Sequence, residues 1–208
     1  MTQYRGTLPQ DSFNLKADYG NMDYDTRNRF SAQLNYELPN ASRYKLLLNG
    51  WTLNGLVAIA SGQPFTVFSS ADTTGTAEGE QRANQIGNPF AGVSHAFNAN
   101  GVTWINPAAF VDPAPGTFGT SPRNGYYGPG YASVDFSVVK NTKITERIST
   151  QFRIEMFNLF NRTNLAPPST TNGSGLGITA DTIGDWNGAP GLGPGEAFNM
   201  QLGLKIIF

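Results

Sequence analysis

The chain has 208 residues and a formal net charge of −1, and only 14% of its residues are charged, against about 25% in an average soluble domain. This near-neutral charge removes the electrostatic attraction that nucleic-acid phosphates require, so we expect no nucleic-acid partner. The sequence contains no cysteine, which excludes disulfides, thiolate metal sites and cysteine nucleophiles.

A helix that crosses a membrane needs about 20 consecutive apolar residues, and no run in this sequence approaches that length. The longest candidate, 53–60, contains Asn54 and Gly55. A membrane location would therefore require a β-barrel. The first eight residues have neither the basic nor the apolar region of an export signal. We therefore expect either a cytoplasmic protein or a natural start that lies upstream of Met1.

Several stretches alternate apolar and polar residues with a period of two, which is typical of strands that have two different environments. The predicted strands lie near 28–38, 46–68, 131–140, 148–157 and 198–208. The second of these is interpreted as one long strand that bends or bulges at 61–64. Arg153 and Glu155 share the polar side of the fourth strand. Because an unpaired buried charge costs several kcal/mol, we expect them in a wet lumen or paired with each other.

The links between these strands alternate strictly between short and long. The short ones are 39–45 and 141–147, and the long ones, 69–130 and 158–197, are expected to be functional or disordered. Outer-membrane barrels have this asymmetry, with short periplasmic turns and long extracellular loops, and their strands span about 9–11 residues. The predicted fold class is therefore all-β, with residues 1–208 forming an antiparallel transmembrane β-barrel segment of about five long strands.

Five strands cannot close a barrel, because the smallest bacterial barrels have about eight. An open sheet edge in lipid leaves backbone N–H and C=O groups unsatisfied, at several kcal/mol each. We therefore expect this chain to be part of a larger barrel.

Seven segments of the sequence together resemble the C-terminal barrel of TonB-dependent receptors. They belong to the first two predicted strands, the long links and the last two strands. The segments are Tyr24–Phe30, Gly50–Gly55, Ser61–Phe65, Asn106–Phe110, Gly119–Asn124, Phe157–Arg162 and Gln201–Phe208. The subgroup that they resemble is the Oar-like one, whose members carry an N-terminal carboxypeptidase-regulatory-like domain.

The resemblance implies a barrel of about 22 strands, closed by an N-terminal plug and driven by TonB. It also implies energised uptake or binding of an unidentified ligand at the Gram-negative outer membrane. The chain departs from the family pattern because the plug, the TonB-contacting segment and most of the strands are missing from it. It could not transport a ligand alone. The implied partners are these missing parts, TonB through the plug, and the lipid bilayer.

The last strand ends in an aromatic carboxyl terminus with apolar residues at every second position before it. This pattern resembles the signal by which the barrel-assembly machinery recognises its clients, and the alternative is an ordinary last strand of a soluble protein. The residues of this predicted signal are Phe208, Ile206, Leu204, Leu202 and Met200. Aromatic residues near strand ends predict a girdle at the lipid interface. They are Tyr36, Trp51, Tyr131 and Phe208.

Aromatic residues of the first long link are the candidate ligand contacts: Trp104, Phe110, Phe118, Tyr126 and Tyr127. No enzymatic activity, cofactor or metal is predicted. His95 is the only histidine, and 181–188 lacks the ligand spacing and terminal Glu of a calcium loop, so we interpret it as a solvated loop. Two alternatives stay open. A secreted all-β module would use its aromatic residues to bind carbohydrate, and a β-rich hydrolase would need a nucleophile–base pair that the sequence does not offer.

Overall fold

A computed structural model describes residues 8–77, 81–188 and 195–208, and the chain divides into two compact units. We name the first the insert unit; it comprises Met1–Arg27, Ser61–Gly130 and Leu165–Asp181. We name the second the sheet unit; it comprises Asn28–Ala60, Tyr131–Asn164 and Thr182–Phe208. Each unit is therefore assembled from three separate stretches of chain.

The described residues form twelve strands, most of them very short. In chain order they are β1 (Arg29–Glu37), β2 (Trp51–Ala60), β3 (Pro64–Phe65), β4 (Asn84–Gln85), β5 (Phe97–Asn98), β6 (Gly101–Thr103), β7 (Phe110–Val111), β8 (Tyr126–Tyr127), β9 (Tyr131–Lys143), β10 (Ser149–Phe157), β11 (Ile178–Thr179) and β12 (Asn199–Ile207). Two four-residue helices, α1 (Lys45–Leu48) and α2 (Ile183–Trp186), and two 3-10 turns at Leu15–Asp18 and Pro107–Ala109 accompany them. No helix in these described ranges is long and apolar enough to cross a membrane.

The sheet unit is built on a five-stranded antiparallel sheet with the order β1-β2-β9-β10-β12. Strands that follow one another along the chain in this unit are therefore neighbours in the sheet. The strands are nine to thirteen residues long, well above the five or six that soluble strands average. Four of them lie close to their predicted ranges, since their alternating apolar residues continue without interruption.

The prediction of one kinked strand over 46–68 is wrong. Residues before β2 form helix α1, which begins after Tyr44, a residue in the left-handed region with φ of 50°. Gly50 then has φ of 78°, and a Cβ at this position would lie 2.2 Å from the carbonyl oxygen of Asn141. After Ala60 the chain leaves the sheet, and 61–68 belongs to the insert unit instead.

The turn between β9 and β10 is shorter than the predicted 141–147. β9 continues to Lys143, and the N–H of Ile144 donates to the carbonyl of Ile148 at 3.0 Å. A five-residue connection, 144–148, therefore closes this hairpin.

The insert unit has a core of its own, so 69–130 is not a disordered loop, and its functional role stays a prediction. Its buried residues come from widely separated positions: Phe65, Val67, Ala83, Ile105, Ala109, Phe110, Tyr126 and Leu176. Small sheets surround this core, with the pairings β3-β8, β4-β7 and β11-β6-β5. Apolar burial of this kind is what holds a segment rich in Gly and Pro in one conformation.

The second long connection, predicted as 158–197, is divided between the two units. Residues 165–181 belong to the insert unit, whereas α2 and Glu196 belong to the sheet unit. The predicted solvated loop at 181–188 contains α2, whose first turn is capped by the Thr182 hydroxyl accepting from the N–H of Asp185. Most of the Gly- and Pro-rich run at 188–195, and the first seven residues, lie outside the described residues.

Candidate functional site

One face of the five-stranded sheet is apolar from β1 to β12. The register places Leu34 opposite Gly55, Phe136 opposite Met156, and Met156 opposite Met200. Its large side chains are Phe30, Leu34, Tyr36, Leu53, Val57, Ile59, Val134, Phe136, Val138, Phe152, Ile154, Met156, Met200, Leu202, Leu204 and Ile206. Many of them are more than half exposed, such as Leu34 at 63% and Leu204 at 70%. Soluble proteins rarely expose a continuous apolar patch of this size to water, so this face requires an apolar environment.

The opposite face of the same sheet is polar along most of its length, because neighbouring residues in a strand point to opposite sides. One row across all five strands consists of polar residues only: Asn35, Asn54, Ser137, Glu155 and Gln201. Within this row, Nδ2 of Asn54 donates to Oγ of Ser137 at 3.1 Å. The sheet thus separates an apolar environment from a wet one.

A hollow of about 240 Å³ lies on the sheet, lined on the polar side by Gln33, Leu56, Asp135 and Glu155 among others. The Asp135 carboxylate is held in place, since one of its oxygens accepts from the Ser133 hydroxyl and from the N–H of Asn158, both at 2.9 Å. The hollow therefore places one fixed carboxylate next to apolar surface.

Arg153 and Glu155 lie on the polar face and form an ion pair, with 3.6 Å between Nη1 and Oε1. Their side chains are 44% and 34% exposed. The structure therefore confirms the expected pairing of these two side chains. Because the pair is this exposed, it contributes little to stability and mainly sets the charge pattern of the face.

The two short connections, 38–50 and 144–148, join the strands at one end of the sheet, and β12 also ends there. Both long connections leave from the opposite end of the strands, where Ala60 lies opposite Tyr131 and Phe157 opposite Asn199.

Four of the five residues of the predicted assembly signal, those within β12, point to the apolar face. Met200, Leu202, Leu204 and Ile206 are 53–70% exposed, and Phe208 beyond them is 97% exposed. Their recognition by the assembly machinery stays a prediction. Among the girdle candidates, Tyr36 and Trp51 lie on the apolar face, but Tyr131 pairs with Ala60 and shares the polar face with Ser133. The girdle prediction is therefore wrong for Tyr131.

Two of the five candidate ligand contacts are core residues of the insert unit. Phe110 is 4% and Tyr126 is 3% exposed, and their rings meet edge to face with centroids 5.4 Å apart. The Tyr126 hydroxyl donates to Oε1 of Gln85 at 2.7 Å, and burial raises the pKa of Tyr126 to about 12. These two side chains stabilise the core and are not available for ligand contact on the surface.

The other three candidates, Trp104, Phe118 and Tyr127, keep some exposed surface, and their role in ligand contact stays a prediction. The Trp104 ring stacks on His95, with centroids 4.2 Å apart, and its Nε1 donates to the carbonyl of Tyr127 at 2.7 Å. The guanidinium of Arg27 lies 5.1 Å from the centre of the Tyr127 ring. An indole, an imidazole and a phenol with a nearby cation thus occupy one region of the insert unit.

Asp112 joins two distant parts of the insert unit. Its carboxylate accepts from the hydroxyls of Ser69 and Ser70, from the N–H of Ser70, and from Nδ2 of Asn172. Burial acts to raise the pKa of Asp112, but these donors lower it to about 2. The pKa of Asp72 is also lowered, chiefly by the N–H of Ala77. Both groups stabilise turns and offer no free carboxylate for a ligand.

The segment before the sheet is held on the insert unit by a buried ion pair. Nη1 of Arg82 lies 3.0 Å from Oδ1 of Asp18, and the two side chains are 5% and 10% exposed. The side chain of Gln10 accepts from the N–H of Arg82 and donates to the carbonyl of Gly119. Burial lowers the pKa of Arg82, while Asp18 acts to raise it.

Sequence reasoning missed the asparagines that end strands and close turns. Asn124 and Asn158 both have φ of 48°, and both side chains are buried. Asn124 exchanges hydrogen bonds with Thr66 and donates to Asp23, and Nδ2 of Asn158 donates to the carbonyls of Arg162 and Glu196. Asn adopts the left-handed region more readily than most residues. Its position directly after the fourth predicted strand was therefore the available signal for Asn158, whereas Asn124 follows no strand.

A family model described as an outer membrane beta barrel domain matches residues 1–191. The chain belongs to this family. Membership confirms the predicted fold class and places the protein in the Gram-negative outer membrane, with the lipid bilayer as its surrounding. The apolar face of the sheet is then the face that contacts lipid, and the polar face lines the barrel interior. No curated protein and no solved structure matches the chain.

Proposed function

We propose that this chain is the C-terminal barrel portion of a TonB-dependent receptor of the Oar-like subgroup, which binds and takes up an unidentified ligand. The observation that carries the proposal is the folded insert unit within the long connections of a transmembrane sheet. A simple pore needs no such unit, whereas a receptor needs a structured surface that selects a ligand. No catalytic role is proposed.

The interior face of the sheet supports the same proposal. Asn54, Ser137 and Glu155 form a row of uncharged and acidic hydrogen-bonding groups, and Asp135 adds a fixed carboxylate beside it. Such a polar face suits contact with a polar plug domain and passage of a polar ligand, because its side chains can exchange hydrogen bonds with either.

The partners of the proposed receptor follow from its mechanism. TonB would act through an N-terminal plug inside the barrel, and the barrel-assembly machinery would insert the protein through the strand that ends at Phe208. Ligand would contact the insert unit, for which Trp104, Phe118 and Tyr127 are the candidate residues. Aromatic rings of this kind bind apolar or planar faces of a ligand, and a cation such as Arg27 favours an anionic group beside them.

The test compares solute uptake from culture medium by the source strain, by a strain that lacks this gene, and by a strain that lacks TonB. Mass spectrometry of the medium identifies the compounds that each strain depletes. We expect at least one compound whose depletion is lost in both mutant strains. Depletion that needs this gene but persists without TonB would contradict the proposal and indicate an open pore.

Two point variants locate the ligand surface in the same assay. Phe118→Ala should reduce depletion of that compound, because Phe118 is a candidate contact whose ring is 38% exposed. Phe90→Ala is the matched control, since Phe90 is an exposed phenylalanine of the insert unit, at 53%, and is not a candidate. Equal effects of the two variants would exclude a specific role for Phe118.

A further inference from the structure

The β1–β2 connection, residues 38–50, carries an exposed apolar surface. Four of the five residues from Tyr44 to Leu48 have large apolar side chains, and these are 49–67% exposed: Tyr44, Leu46, Leu47 and Leu48. The connection is nevertheless folded, since it contains helix α1 and the N–H of Ala41 donates to Oδ1 of Asn49 at 2.7 Å. The apolar side chains are therefore held at the surface by a defined local structure.

Two side chains of the lipid-contacting face hold α1 beside that face. Trp51 and Lys140 lie opposite each other at the end of β2 and β9, and the alternation of each strand places both on the apolar side. Nε1 of Trp51 donates to the carbonyl of Leu47 at 2.7 Å, and Nζ of Lys140 donates to the carbonyl of Asn49. Because both bonds come from the apolar side of the sheet, α1 continues the lipid-contacting face beyond the end of β2.

Three cationic side chains accompany this apolar surface. The β1–β2 connection contains Arg43 and Lys45 and no acidic residue, and Lys140 adds a third positive charge from β9. In the part of the chain that the structure describes, neither Arg43 nor Lys45 forms an ion pair with a carboxylate. The guanidinium of Arg43 lies 4.9 Å from the centre of the Tyr44 ring, and Nζ of Lys140 lies 5.2 Å from the centre of the Trp51 ring. Two of the three charges are thus held next to aromatic rings at the border of the apolar surface.

The position of this border in the membrane follows from the sidedness of the barrel. Short connections of outer-membrane barrels face the periplasm, so the β1–β2 connection lies at the headgroups of the periplasmic leaflet. A lysine at the end of a lipid-facing strand reaches that layer by extending its long side chain out of the hydrocarbon. Apolar side chains beside uncompensated cations are the composition of segments that lie in the interface and attract anionic lipids.

We propose that the β1–β2 connection is a binding site for an anionic phospholipid of the periplasmic leaflet. The leucines of α1 contact the acyl chains, and Arg43, Lys45 and Lys140 bind the phosphate of the headgroup. This inference rests on the barrel family and on the lipid-contacting face of the sheet. It is independent of the TonB-dependent uptake proposed above.

The other short connection, 144–148, lacks this composition. It contains Glu146 beside Arg147, so the two charges compensate each other, and it contains no helix. Lys143 lies at the same end of the sheet and is exposed, but its side chain points to the polar face because it is three positions from Lys140 in β9. We therefore assign the lipid site to the β1–β2 connection, and Lys143 provides a matched control.

Native mass spectrometry of the full-length protein, purified in detergent from the outer membrane of its host, tests the site. The probes are phosphatidylglycerol and phosphatidylcholine with identical acyl chains, offered together in equal amounts. The readout is the ratio of the two lipids that stay bound to the folded protein, so a lower yield of a variant does not change it. We expect the wild type to prefer phosphatidylglycerol about tenfold or more. Lys140→Gln and Arg43→Gln should each lower the ratio about fivefold, whereas Lys143→Gln should leave it unchanged.

A nitroxide label on Leu47→Cys, in vesicles of the same two lipids, tests the position of α1. We expect it to collide more with oxygen and less with a water-soluble nickel chelate than a label on Glu146→Cys does. Equal accessibility of the two labels would overturn the inference, because the leucines of α1 would then face the periplasm and be open to a protein partner.

Three results of the mass spectrometry would also overturn the inference. They are equal binding of the two lipids by the wild type, equal effects of Lys140→Gln and Lys143→Gln, and displacement of phosphatidylglycerol by an excess of inorganic phosphate, which would indicate a site for free anions. Ligand uptake is not a readout in either experiment, so failure of the TonB-dependent proposal leaves these results interpretable.

Discussion

Asn54 of β2 donates a hydrogen bond to Ser137 of β9 on the polar face of the sheet, with 3.1 Å between Nδ2 and Oγ. The residues one position away, Leu53 and Val138, also lie opposite each other, but on the apolar face. A single step along either strand therefore exchanges a wet environment for lipid. This relationship repeats across all five strands and is the basis of the membrane assignment.

A charge placed on the two faces of β9 should have very different consequences. Val138→Arg puts a guanidinium into the hydrocarbon region, which should lower the free energy of folding into vesicles by about 2–4 kcal/mol. Ser137→Arg is the matched control, because the side chain of Ser137 faces the interior. Folding is measured by urea titration in lipid vesicles. If both variants lose the same free energy, the two faces do not have the environments assigned to them.

The Arg82–Asp18 pair should be far more important for stability than the exposed pair of Arg27 with Asp25. Arg82→Met leaves the Asp18 carboxylate buried without its partner, so we expect a loss of about 3–5 kcal/mol in the free energy of unfolding of the insert unit. Arg27→Met should cost at most about 1 kcal/mol, since that side chain is 59% exposed. Tryptophan fluorescence during urea unfolding measures both. A cost below about 1 kcal/mol for Arg82→Met would refute the account of this pair.

Phe110 and Phe118 were equal candidates in the sequence, but the structure assigns them different roles. Phe110→Ala should lower the free energy of unfolding of the insert unit by about 3–5 kcal/mol, because it leaves a cavity beside Tyr126. Phe118→Ala should lower it by less than about 1 kcal/mol, since the ring is partly exposed. The same urea titration distinguishes them. The reverse order of effects would place Phe118 in the core.

The insert unit should lose stability in acid through Asp112. Its pKa in the folded state, about 2, is below the ordinary value of 3.8, so its contribution is fully present above about pH 4. The contribution disappears as the pH falls through about 2. Asp112→Asn should cost about 1–2 kcal/mol at neutral pH, after allowance for partial exposure, and should flatten the loss of stability between about pH 4 and pH 2.

Urea unfolding at several pH values checks this prediction, with Asp181→Asn as the control because the side chain of Asp181 is exposed. Some acid dependence should persist in Asp112→Asn, since the pKa of Asp72 is lowered as well. An unchanged acid profile in Asp112→Asn would show that its hydrogen bonds to Ser70 and Asn172 contribute nothing to stability.

The long strands could be predicted because one simple pattern, alternation with a period of two, extends over nine or more residues. The pattern fails where turn conformations, and not side-chain alternation, determine the path of the chain. Helix α1 and the start of β2 follow turn conformations at Tyr44 and Gly50, which a strand pattern does not register. The sequence of 46–68 therefore suggested one strand where the structure has helix α1 and the separate strands β2 and β3.

The insert unit could not be predicted in the same way. Its strands are only two or three residues long, too short for any period, and its core joins Phe65, Ile105 and Leu176 from distant parts of the sequence. Burial of Phe110 and Tyr126 is a consequence of that long-range packing. Aromatic residues in predicted loops are candidates for ligand contact, but the sequence alone does not distinguish the exposed ones from those that are buried in the core.

The central claim, that the two faces of the sheet contact lipid and water respectively, can be measured directly by spin labelling. Since the sequence contains no cysteine, a single cysteine can be introduced at each position from 132 to 139 of β9 and labelled with a nitroxide. In the membrane-embedded protein, collision with oxygen should be highest at Val134, Phe136 and Val138, and collision with a water-soluble nickel chelate highest at Ser133, Asp135 and Ser137. Accessibility to both reagents that does not alternate along β9, or alternation in the opposite phase, would contradict the claim.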